Sequence, residues 1–286
     1  MLADAVRAES YRLSRNRTAL FWSVLFVPLI GLVMSVGAFV FTKIKAEDLA
    51  GKLPPELAIT SAPLNMAEVL SRSVGEFANP AILMFVLIGA ATLYAGDYRW
   101  ETWRLISARN RRANLITGKL IVVAALILAA TLAALVSDLA AGLIQALVFE
   151  RFLAFQMSGG GWADTALLAV LNWARILQFT LIALLAATVT RSLLAALFVP
   201  LAIGIGQFFL PNILASMGIS PDGWVTPLAS PGFAVEMLAT AIRGGMPAAA
   251  LPDHAILKGV LSLLAWTVLP FAASVAWFNR QDLSKE

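Results

Sequence analysis

From Leu115 to Phe149 the sequence is almost uninterruptedly apolar for about 35 residues, broken by Asp138. A single helical crossing of a bilayer needs only about 20 such residues, so the excess is expected to protrude or to bend along the surface. No water-soluble fold exposes or buries a run of this kind without a hydrocarbon phase around it. The composition agrees: 60% of the residues are hydrophobic and 13% charged, against about 25% charged in soluble domains. Backbone in lipid must satisfy its own hydrogen bonds, and the lengths of the apolar runs suit helices, so the chain reads as an all-α integral membrane protein.

Six spans are expected, at about 19–42, 80–96, 115–137, 165–190, 193–210 and 256–278, within one transmembrane domain covering 1–286. Residues 1–18 carry Arg7, Arg12, Arg15 and Arg17 with Leu2, Val6 and Leu13 on roughly one helical face, which predicts an amphipathic surface helix. Asn79-Pro80 supplies a capping residue followed by proline at the first helical position, a start signal for the second span. Met66 to Phe77 predicts a short helix before it, and Gly159-Gly160-Gly161-Trp162 a turn before the fourth span. Pro200 with Gly204 and Gly206 predicts a kinked fifth span that ends at Pro211. Ser230-Pro231, an apolar run to Ile242 and the pair Gly244-Gly245 predict a short helix in a hairpin that dips into the membrane and returns before the last span. Asp253 is expected to cap that span, beside His254.

Orientation follows from the polar island between the second and third spans. Asp97 to Lys119 holds six basic residues, Arg99, Arg104, Arg109, Arg111, Arg112 and Lys119, and such clusters beside a span mark the cytoplasmic side. With both termini also inside, thirteen Lys or Arg fall in short inner segments and seven in much longer outer ones, the expected bias. Trp100 and Trp103 among the charges suit a short helix at headgroup level, while a solvated loop that only sets topology is the plainer reading of the charge.

The same features exclude several chemistries. There is no cysteine and one histidine, His254, so disulfides, thiolate chemistry and multi-histidine metal sites are not expected. The net charge of +4 is segregated to one membrane face and gives no reason to invoke nucleic acid. No cleavable signal peptide is expected, because the first apolar run is too long. Gly51-Lys52 and Gly118-Lys119 lack both the upstream glycine and the following Ser or Thr of a phosphate-binding loop.

The segment WETWRLISARNRRANLITGK, Trp100 to Lys119, resembles the stretch after the second span in ABC-exporter permeases of the ABC-2 superfamily. Thr102, Arg104, Leu105-Ile106, Arg112 and Gly118-Lys119 fit that pattern; Glu101 stands where glycine is usual, and no proline precedes the Arg. The resemblance implies a dimeric permease, homodimer or related heterodimer, in the cytoplasmic (inner) membrane. It implies a cytoplasmic coupling helix at 98–112 that docks on a separate ATP-binding subunit, with ATP and Mg held by that partner and no cofactor or catalytic site in this chain. Trp100, Glu101, Thr102, Trp103, Arg104, Arg109 and Arg112 would form the contact.

Two ionisable residues are expected inside hydrocarbon, Asp138 and Arg175, where charges are costly. Their heights along their helices suit an ion pair, and pairing, or snorkelling of Arg175 outward, is the favoured reading. The alternative places Arg175 in a cavity that meets an anionic headgroup or carboxylate. Two other functions compete with an exporter subunit: a secondary carrier or channel with Asp138 as proton carrier, and a membrane anchoring or assembly subunit. The Thr102 to Lys119 pattern favours the exporter, since inverted repeats and several intramembrane polar residues, frequent in carriers, are not found.

Overall fold

The computed structural model describes residues 1–48, 62–100, 102–103, 110–157 and 161–281. Almost all of them are helical. In chain order the helices are α1 (Leu2–Arg15), α2 (Arg17–Leu20), α3 (Phe26–Asp48), α4 (Met66–Gly75), α5 (Pro80–Arg99), α6 (Arg112–Val148), α7 (Gly161–Thr190), α8 (Leu193–Ser216), α9 (Val225–Ala229), α10 (Pro231–Arg243), α11 (Gly245–Ala249) and α12 (Ala255–Arg280). Six helical stretches are long and apolar enough to cross a membrane: Arg17–Lys45, α5, α6, α7, α8 and α12. A two-residue parallel pair, β1 (Leu64–Asn65) with β2 (Leu153–Ala154), ties the connection before α4 to the one after α6.

Local chemistry explains most of the boundaries. The Asn79 side chain accepts the amide of Ile82 at 2.9 Å, with Pro80 at the first helical position, satisfying a donor that the helix leaves unpaired. The Ser230 hydroxyl accepts Phe233 N–H, and Gly244 at φ 69° stops α10, as the Ser-Pro and Gly-Gly signals predict. Arg191 at φ 57° makes the tight turn between α7 and α8. A π-helical turn, Phe21–Leu25, joins α2 to α3 and sets Ser23 against Gly89 of α5. No Cβ fits at Gly89, since one would stand 2.5 Å from Ser23 Oγ and 2.7 Å from Leu126, so glycine is what lets three helices cross there.

Two expectations change, and one pair of alternatives is decided. The long apolar run is one continuous helix, α6, of 37 residues, about 55 Å at the helical rise. That is longer than a hydrocarbon layer of about 30 Å, so the excess protrudes as helix, the first of the two alternatives. The fifth span does not end at Pro211, because α8 continues to Ser216. Proline there removes the hydrogen bond to the carbonyl one turn earlier, and that carbonyl, on Gln207, instead accepts the Ser230 hydroxyl at 3.0 Å. The break is satisfied from α10, so the helix does not stop. Asp253 does not cap the last span either: His254 occupies the capping position in a left-handed conformation, and no side chain caps it.

The core lies along α5 and α7, the most buried of the spans, with α6 packed beside them. Val86, Leu87, Ala90 and Tyr94 of α5 meet Ile176, Phe179, Ala183 and Leu184 of α7. The first span and α8 keep broad apolar faces exposed, including Ile30, Val33 and Met34 on one and Phe198, Ile205 and Phe208 on the other, as surfaces in contact with lipid or another membrane helix do. The segment α9–α11 packs against α12 and α7; Gly259 of α12 lets Leu238 of α10 approach, since a Cβ would lie 2.6 Å from Leu238 Cγ.

Candidate functional site

Helix α1 presents Ala5, Glu9 and Leu13 inward, one turn apart. An acid on that stripe demands a partner, because a buried unpaired carboxylate is strongly unfavourable. The partner is Lys119, fully buried in α6, whose ammonium lies 2.9 Å from Glu9 Oε1 and 2.6 Å from Asp97 Oδ2 and donates to Leu93 O at 2.7 Å. One donor of the lysine is spent on the Leu93 carbonyl, and its charge is shared between the two carboxylates. Asp97, at the end of α5 and also fully buried, is held further by Arg12 Nη1 at 2.7 Å and by the Thr102 hydroxyl. Arg12 also reaches Glu9 at 3.2 Å.

Among the described residues, two carboxylates thus meet two cations in a network that joins α1, α5, α6 and Thr102, with Arg12 at its half-exposed edge. Burial works against the Arg12 charge, but Asp97 and Glu9 outweigh it and hold its pKa above the ordinary guanidinium value. The approach depends on Gly118, whose missing side chain admits α1: a Cβ there would stand 2.9 Å from Ala5 Cβ and 3.3 Å from its carbonyl carbon.

Above the network sits a second layer. Trp103 is buried, with its ring 4.4 Å from Phe278 and 5.5 Å from Tyr98, and Lys119 Nζ lies 5.3 Å from its centroid. Arg112, at the start of α6, donates to the carbonyls of Phe278, Asn279 and Gln281 at 2.9, 3.1 and 2.8 Å. A cation on the last carbonyls of α12 satisfies groups that the helix end leaves open and complements its dipole. The Gln281 amide then donates to Thr188 O of α7. Four of the six candidate spans therefore converge on one patch at the end of α5.

Of the seven residues expected at a partner contact, Thr102, Trp103 and Arg112 are turned into the protein itself. Trp100 points outward, 69% exposed, with the Arg99 guanidinium 5.4 Å from its ring. Glu101, Arg104 and Arg109 lie outside the described residues. Reading the charges as a topology signal passed over Glu9 and Asp97. The signal that finds them is position: Glu9 shares the inward stripe with Ala5 and Leu13, and Asp97 continues the buried face of α5.

The two charges expected in hydrocarbon do not pair with each other. Asp138 accepts the Ser73 hydroxyl of α4 at 2.5 Å. Arg175 donates to Gln178 Oε1 at 3.3 Å and Gln207 Oε1 at 2.9 Å, and lies 4.5 Å from the Phe179 ring. Nor does it snorkel, since it is only 8% exposed. The two residues face different partners, Asp138 on α4 and Arg175 on α8, which height along a helix does not reveal. Asp138 is exposed, whereas Arg175 shares its burial with Asp97, Lys119 and Lys258, Lys258 donating to Asp222 O at 2.5 Å.

No curated protein and no solved structure matches the chain. The family described as ABC-2 family transporter protein matches residues 6–283, nearly the whole described fold, from α1 and its ion network through all six candidate spans. The chain belongs to that ABC-2 transporter family, as a membrane-spanning permease component of an ABC transporter, a family that works with an ABC ATP-binding subunit.

Proposed function

We propose that this permease is an exporter subunit that receives the motion of a separate ATP-binding subunit through residues 98–112, with ATP and Mg bound by that partner. The observation that carries the reading is the Glu9–Lys119–Asp97–Arg12 network, which fastens the start of this segment to α1, α5 and α6. A force applied at exposed Trp100 reaches three helices through charge-assisted contacts rather than through a pliable loop. Thr102 and Trp103 act as the root of the coupling segment; Trp100, Glu101, Arg104 and Arg109 are its outward contacts. The permease works in the cytoplasmic (inner) membrane as a pair, homodimer or related heterodimer, with α1 on the inner membrane surface, α9–α11 re-entering from the outer side, and both termini cytoplasmic.

Charge reversal at the outward positions tests the coupling. Glu101→Arg and Arg104→Glu should each reduce copurification of the ATP-binding subunit, or the ATPase response to transport, while permease abundance in the membrane stays at the parent level. Parent-like copurification, stimulation and export in both variants would leave the basic island as a topology signal only.

Topology is testable independently, because the chain has no cysteine and single cysteines can be introduced without background. Probes at Arg109 and Lys285 should react only from the cytoplasmic side, and probes at Lys52 and Gly160 only from outside. Labelling of Arg109 from outside intact cells contradicts the orientation and, with it, the site of ATPase docking.

A further inference from the structure

Arg175 opens onto a cavity of about 650 Å³ between α7, α8, the start of α5 and α10. Its walls are mostly apolar, with Phe179, Leu201, Ile205, Phe208 and Phe233 among them. Ile205 and Phe208 are also among the exposed residues of α8, so the cavity continues into the outer apolar face of that helix.

The polar groups at its inner end are biased in one direction. Arg175 has five N–H donors, and its two side-chain hydrogen bonds, to Gln178 and Gln207, go to neutral amide oxygens. Among the described residues no carboxylate pairs with it. Gln207 is buried, only 5% exposed. Because its oxygen is engaged by Arg175, its other terminal atom is the Nε2 donor, and that atom has no hydrogen-bond partner among the described residues. Helix α10, 13 residues long, starts beside them, with Gly232 placed so that a Cβ would stand 3.3 Å from Arg175 Nη2; the positive end of its dipole faces the same point.

A full positive charge without a carboxylate partner among the described residues and an unused, buried amide donor therefore converge at the end of an apolar cavity, beside the positive end of α10, whose Phe233 amide Ser230 already caps. Glu236, also on the wall, is exposed, so its negative charge favours seating an anion inward, at Arg175. We propose that this cavity binds an amphiphile: one anionic oxo group, phosphate or carboxylate, on Arg175 and Gln207, with its hydrocarbon chain leaving past Ile205 and Phe208. The site stands whether or not the ATPase-coupling reading is right, since binding requires only the permease.

Native mass spectrometry of the full chain in neutral detergent tests it, with phosphatidylglycerol, phosphatidylcholine of the same acyl chains, and oleate as probes. The parent should bind phosphatidylglycerol or oleate at least about tenfold more tightly than phosphatidylcholine, and Arg175→Gln should lose about ten- to a hundredfold of that affinity, the range for charge-assisted hydrogen bonds. Arg280→Gln, at the far end of α12, should bind as the parent does. Preference for phosphatidylglycerol identifies a phospholipid headgroup, and preference for oleate a single-chain carboxylate; both support the site. If Arg175→Gln does not fold, Ile205→Trp, a change at an exposed position that fills the chain's path, should weaken binding by a similar factor. Parent-like affinity in Arg175→Gln or, failing that, in Ile205→Trp, or equal binding of phosphatidylcholine, overturns the proposal. So does an Ile205→Trp variant that changes oligomeric state without affecting lipid, which would assign this face to a second copy.

Discussion

Lys119→Met should destabilise the protein by about 3–5 kcal/mol, the range for breaking a buried ion pair from one side. Methionine fills the space of the lysine stem but leaves Asp97, fully buried, and Glu9, nearly so, with Arg12 as their one remaining cation among the described residues. Two carboxylates, one of them fully buried, then share the half-exposed Arg12, and Leu93 O loses its side-chain donor. Adding Asp97→Asn removes the excess charge, so the double variant should be less destabilised than the sum of the two single changes, with a coupling of about 0.5–3 kcal/mol. Thermal unfolding in detergent, run as a double-mutant cycle, reads both quantities. A loss below about 1 kcal/mol for Lys119→Met, the level of an exposed surface pair, would mean that the network is not a structural joint.

Gly118→Val should separate α1 from the membrane core. Even a bare Cβ at this position lies closer to Ala5 than real carbon atoms approach, with α1 backbone just behind it at 3.3 and 3.4 Å. A small alanine and a helix backbone cannot turn aside as a long side chain would, so α1 must move as a unit. Overpacking of this kind costs about 1–3 kcal/mol, and here it also draws Glu9 and Arg12 away from Lys119 and Asp97. Hydrogen exchange across Leu2–Arg15 should therefore rise well above the parent level. Gly31→Ala is the matched comparison: nothing lies within 4 Å of a Cβ there, and alanine is the better helix former, so stability should hold or improve slightly. Unchanged exchange in α1 of Gly118→Val would contradict the role assigned to the glycine.

By itself the sequence determined what lipid and backbone chemistry dictate locally. Apolar runs of spanning length become helices because hydrocarbon offers no other partner for peptide groups, and all six appear where the runs lie. Asn79-Pro80, Ser230-Pro231 and Gly244-Gly245 act within a few residues of themselves, so their signals were readable in one dimension. The Thr102 to Lys119 pattern pointed to the ABC-2 family for the same reason, as a contiguous string.

The tertiary structure decided whatever depends on which helix faces which. Pro211 looks like a stop until Ser230, twenty-three residues beyond Gln207 in the chain, takes up the Gln207 carbonyl that the proline frees. Asp138 and Arg175 look like a pair by height, yet azimuth sends one to Ser73 and the other to Gln207. In the sequence Arg12 belongs to a surface helix and Asp97 and Lys119 to a separate polar island; with Glu9 they become a joint only because Gly118 brings α1 against α6. Helical period fixes the face on which a residue lies, but burial and pairing depend on the neighbour's position, which is set by packing of all the helices together.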